Sequence, residues 1–143
     1  MKRFDRAYLI WALCYAVAGM GLGIYMGISG NHGQFITHAH ILLVGFVTSL
    51  VYAVIHRLWL PAPARLLATI QFILHQAGAL TMFTGLLLLF GQAVSESRIG
   101  PIMGPAAIAV ILGVLLMLVM VLQAGASPAQ GVGAADGSRT ATN

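Results

Sequence analysis

Two imidazoles stand two residues apart in the run Thr37-His38-Ala39-His40-Ile41-Leu42-Leu43-Val44-Gly45. Neutral imidazole ligates haem iron and first-row metals such as copper. Ionisable side chains inside a membrane helix are costly and mark function by default. On a helix, residues two apart differ by about 200° around the axis. His38 and His40 therefore face nearly opposite ways and cannot share one metal from the same helix. Below His38, at helical spacing, come Gly45, Ser49, Tyr52 and His56, a small and polar stripe. Below His40 come Val44, Val47, Val51 and Leu58, a greasy one. A flat macrocycle needs small residues beside its ligand and apolar walls around it, so haem suits this pattern. The plainer alternative is that both rings sit near water, within about two turns of the helix start.

Three further histidines are candidates. His75 lies some ten residues into its apolar run, about 15 Å deep at 1.5 Å per residue. Gln71 is four residues before it, so the two share a face and are expected to bond each other. The pair is either a satisfied polar contact or a proton or second-cofactor site. His56, beside Arg57, is expected at the membrane interface. His32, between Asn31 and Gly33, is expected in solvent, or to cap or ligate a cofactor near His38. Glu96 and Arg98 are expected to be an exposed pair of little consequence.

The elements that must carry these residues follow from composition. Of 143 residues, 59% are hydrophobic and only 7% charged. The mean hydropathy is +0.93. Soluble domains carry about a quarter charged residues, so the natural solvent here is lipid. The net charge of +4 gives no nucleic-acid reading, because the basic residues are scattered at segment ends. The single cysteine, Cys14, can form no internal disulfide and is expected to be a packing residue.

Four apolar runs, about 7–28, 36–60, 66–90 and 102–124, each reach the roughly 20 residues that a membrane-crossing helix needs. Helices are expected because strands would leave backbone groups unpaired in lipid. The predicted fold is an all-α integral membrane four-helix bundle. Gly30 to Gln34, Pro61 with Pro63, and Ser95 to Pro101 form the breaks. Lys2, Arg3, Arg6, Arg57 and Arg65 put the amino terminus, second loop and tail on the cytoplasmic side. The first run has a basic start, and Ala16-Val17-Ala18 resembles a cleavage site, but it stays apolar through Ile28 and is expected to be retained. Residues 125–143, rich in Ala, Gly and Ser, are expected to be disordered. Gly19, Gly23 and Gly27 recur every fourth residue, which predicts close packing of another helix.

The His-x-His start, continuing to Tyr52 and Trp59, resembles the tenth transmembrane helix of haem–copper oxidase subunit I. The segment Ile70-Gln71-Phe72-Ile73-Leu74, with Gly78-Ala79-Leu80-Thr81-Met82-Phe83, resembles the eleventh. The chain is also similar to small bacterial four-helix proteins that begin a helix with His-Ala-His. The resemblance implies one third of a subunit-I architecture, in a bacterial inner membrane. A homotrimer would rebuild the whole. It implies haem b, with His38 and His40 as ligands and Gly45, Ser49 and Tyr52 lining the cofactor. It also implies a role in electron transfer or diatomic gas binding. The copper-centre motifs of the oxidases are absent, so independent oxygen reduction is not expected. Any catalysis would be that of an oxidoreductase, with a redox partner that the sequence does not name. A copper carrier using His38, His40 or His75 is one alternative. A scaffold subunit packing through its glycines is another.

Overall fold

The computed structural model describes residues 4–60 and 62–125. Four helices, long and apolar enough to cross a membrane, make up the architecture: α1 (Phe4–Ser29), α2 (Phe35–Leu58), α3 (Arg65–Phe90) and α4 (Glu96–Gly125). No strand occurs among the described residues. At 1.5 Å per residue, the 26 residues of α1 extend about 39 Å, more than the hydrocarbon core requires. The first helix ends where Gly30 takes a left-handed φ of +66°, a conformation that glycine adopts without steric cost.

The helices form two hairpins, α1–α2 and α3–α4, whose backbones approach closely. Small residues permit this approach. A β-carbon on Gly78 would lie 2.8 Å from the Ala106 carbonyl oxygen, so α3 and α4 touch backbone to backbone there. Between the hairpins the contact is made largely by side chains. Tyr8, Tyr52, Ala53, Leu60, Ala68, Met117 and Met120 pack one half of the core. Tyr15, Ile41, Ala79, Met82, Phe83, Leu86 and Ala106 pack the other.

Three features depart from the expectations. The fourth helix begins at Glu96 and carries both Pro101 and Pro105 inside it. Glu96, Arg98, Gly100 and Pro101, read above as a loop, are helical. A proline frees only the carbonyl four residues before it, and near a helix end that carbonyl can be solvated. The second helix is not uniformly α. It opens as α-helix over Phe35–His40, widens to π-helix over Ile41–Val47, and closes as α-helix from Thr48. The Thr48 hydroxyl donates to the Leu43 carbonyl, five residues back, at 2.9 Å, which supports the wide turn. Cys14, expected in packing, is exposed on the outer face of α1. The tail expected to be disordered lies, after Gly125, outside the described residues.

Candidate functional site

His38 and His40 lie in the α-helical opening of α2, before the wide turn. His38 crosses to α1, where its Nδ1 meets the Gly19 carbonyl oxygen at 2.8 Å. A β-carbon on Gly23 would lie 2.9 Å from His38 Cε1. The ring is therefore seated on bare backbone. The glycine groove of α1 thus receives α2 of the same chain, with Leu42 against Gly19 and His38 against Gly23, while nothing contacts the open side of Gly27. His40 stays on its own helix, its Nδ1 2.8 Å from the Ile36 carbonyl oxygen.

A carbonyl oxygen only accepts, so both rings carry the proton on Nδ1. In the neutral ring Nε2 is then the nitrogen with the lone pair. Metal-ligating histidines are held in this way, with the second nitrogen donating to a carbonyl that fixes tautomer and ring orientation. Both rings are half-buried. The valines below His40 differ from the polar stripe below His38. Val47, Val51 and Leu58 face outward from the bundle, but Val44 packs partly buried against the core, whereas Gly45, Ser49, Tyr52 and His56 are buried in the bundle.

That inner stripe is filled by protein. A β-carbon on Gly45 would lie 2.8 Å from Tyr15 Cγ and 3.0 Å from Phe83 Cε2. Ser49 Oγ accepts from Gln76 Nε2 at 3.2 Å, and Gln76 Oε1 accepts from the Tyr15 hydroxyl at 2.8 Å. Tyr52 packs edge-on against His75 at 4.9 Å and against Tyr8 at 5.3 Å between ring centroids. Within one chain, Gly45, Ser49 and Tyr52 therefore offer no bed for a macrocycle. Any such group would have to meet the outward-facing ligand side.

The bond expected between Gln71 and His75 does not form. Gln71 Oε1 accepts from the Tyr8 hydroxyl, and its Nε2 donates to the Gly113 carbonyl at 3.2 Å. The amide is consumed by α1 and α4. His75 is 0% exposed, and neither ring nitrogen makes a hydrogen bond of normal geometry among the described residues. The Val44 carbonyl, inside the π turn, faces the ring electrostatically without completing such a bond. His56, expected at the interface, is 5% exposed. It stacks between Phe4 at 5.5 Å and Tyr8 at 5.6 Å. Its Nε2 and the Tyr52 hydroxyl are also unpaired. His32 is exposed, with Nδ1 3.2 Å from the Gly30 carbonyl oxygen.

No group of three or more His, Cys, Asp or Glu capable of holding a metal occurs among the described residues. His75 is engaged with Tyr8 and Tyr52, while His38 packs against α1 and His40 against its own helix. One chain therefore offers His38 and His40 as single ligands on different faces of α2, not as a joint set. Sequence reasoning missed Tyr8, Tyr15 and Gln76, which carry the polar links between hairpins. The signal was present in Gln76, an amide inside an apolar helix, where an unpaired amide is expensive.

Compared with known proteins, the chain matches no family model, no curated protein and no solved structure.

Proposed function

We propose that this chain is a haem b-binding membrane protein that transfers electrons or binds a diatomic gas. The observation that carries the reading is the shared posture of His38 and His40. Each Nδ1 is held 2.8 Å from a main-chain carbonyl oxygen, which leaves Nε2 as a prepared ligand atom. Val47 and Val51, further down the same face of α2 as His40 and exposed, would add apolar surface beside the cofactor, and burial against such a surface tunes the potential of haem iron. Since the two rings serve different faces, His40 of one copy and His38 of the next would form the axial pair in a homotrimer. Haem would supply the one-electron chemistry. The chain's own part is to orient the two imidazoles and keep them in one tautomer. The proposed setting is a bacterial inner membrane, with both termini cytoplasmic as the basic residues suggest.

The test is an absorption spectrum of the purified chain, oxidised and dithionite-reduced. A Soret band that shifts on reduction is expected, and His40→Ala should abolish the bis-histidine form. Protein that stays colourless after incubation with hemin would refute the reading. Mass measurement in mild detergent adds a second check, since bis-histidine haem on a monomer would exclude the shared site. The same imidazole posture also suits copper, and elemental analysis of colourless protein separates that case.

A further inference from the structure

The hairpin α1–α2 carries a groove on its outer side, at the end where α1 starts and α2 finishes. Its volume is about 520 Å³, within the range of small-molecule sites. Leu9, Leu50 and Val54 wall it, and Arg6, Arg57 and Asp5 stand at its mouth. Arg57 and Leu50 are seven residues apart on one helix, so the groove reaches about 10 Å from charged rim to apolar floor.

We propose that this groove binds an anionic phospholipid, with the phosphate at the two guanidinium groups and an acyl chain along Leu9, Val54 and Leu50. Neither a free anion nor an apolar helix matches both halves of the groove. A phosphate diester on a hydrocarbon tail does. Arg57 meets Asp5 at 3.6 Å, with the guanidinium side chain 67% exposed. At that length the contact is weak on the arginine side, although Asp5 is only 19% exposed, and the exposed guanidinium keeps donors to address a phosphate in fork geometry. Among the described residues the rim has two guanidinium groups against one carboxylate, so an anionic headgroup is favoured over a zwitterionic one. Basic pockets between membrane helices recognise anionic headgroups through the same charge term.

The experiment is native mass spectrometry of the full chain in mild detergent with phosphatidylglycerol or phosphatidylcholine of matched acyl chains. Retention of phosphatidylglycerol about tenfold above phosphatidylcholine is expected from two basic side chains partly offset by Asp5. The Arg6→Gln/Arg57→Gln variant should lose that preference while its helical circular dichroism stays unchanged. Leu9→Trp should fill the groove and lower retention of both lipids. Equal retention of the two lipids, or a preference that survives the double substitution, would overturn the proposal. Conversion of an oligomer to monomer by Leu9→Trp, with lipid retention unaltered, would also overturn it, by assigning the groove to a second copy. None of these readouts depends on haem.

Discussion

The Tyr8 hydroxyl donates to Gln71 Oε1 across the gap between the two hairpins, joining residues 63 apart in sequence. Both residues are 0% exposed. In lipid no water waits to replace the lost partner, although the unfolded helix in a membrane finds others. Tyr8→Phe should therefore destabilise the chain by about 1 kcal/mol. A double-mutant cycle with Gln71→Leu, read by denaturant unfolding in micelles, should show positive coupling. Strictly additive losses would mean that the bond contributes nothing.

His75 makes the opposite prediction. Its ring is fully buried with no hydrogen bond of normal geometry, only the Val44 carbonyl facing it, so the folded state bears much of its desolvation. His75→Leu should leave thermal stability unchanged or raise it by about 1 kcal/mol. A loss of several kcal/mol would show that the ring has a polar partner in the membrane.

Gly23 and Gly27 share one face of α1 but differ in what they touch. Gly23→Ala drives a methyl group into His38 and should cost about 1–2 kcal/mol. It should also move the ¹⁵N resonances of the His38 ring. Gly27→Ala meets nothing within 4 Å and should be neutral or gain up to about 1 kcal/mol from helix propensity. Equal effects at both positions would contradict the seating of the ring.

The wide turn in α2 rests partly on one hydroxyl. Thr48→Val keeps shape and removes the donor to Leu43, 2.9 Å away. A loss of about 1 kcal/mol is expected, with faster amide exchange confined to residues near the turn. An unchanged exchange pattern would show that the turn needs no such support.

The number of spans was legible because run length and the absence of charge are read directly from sequence. So was the division of α2 into a polar and a greasy stripe. What each stripe would face was not legible. Gly45, Ser49 and Tyr52 read as a cofactor bed, but Tyr15, Phe83 and Gln76 fill that space, and their identity depends on which helices become neighbours. The π turn also left no mark, because Ile41 to Val47 has the composition of any membrane helix. Pro101 misled for a local reason: a proline near a helix end releases a carbonyl that water can satisfy. Gln71 and His75 share a face as their spacing requires, yet Tyr8 and the Gly113 carbonyl compete successfully for the amide.

The two hairpins meet through rings, amides and hydroxyls as well as apolar side chains, while the helices within each hairpin approach backbone to backbone, so each hairpin is expected to insert on its own. A gene cut in the α2–α3 connection would yield two polypeptides that enter the bilayer separately and find each other afterwards. Co-expressed halves should co-purify, and Gln76→Leu on one half should weaken their reunion without harming either insertion. Assembly of this membrane protein would then be a docking event between prefolded pieces, open to control by whatever else occupies those polar contacts first.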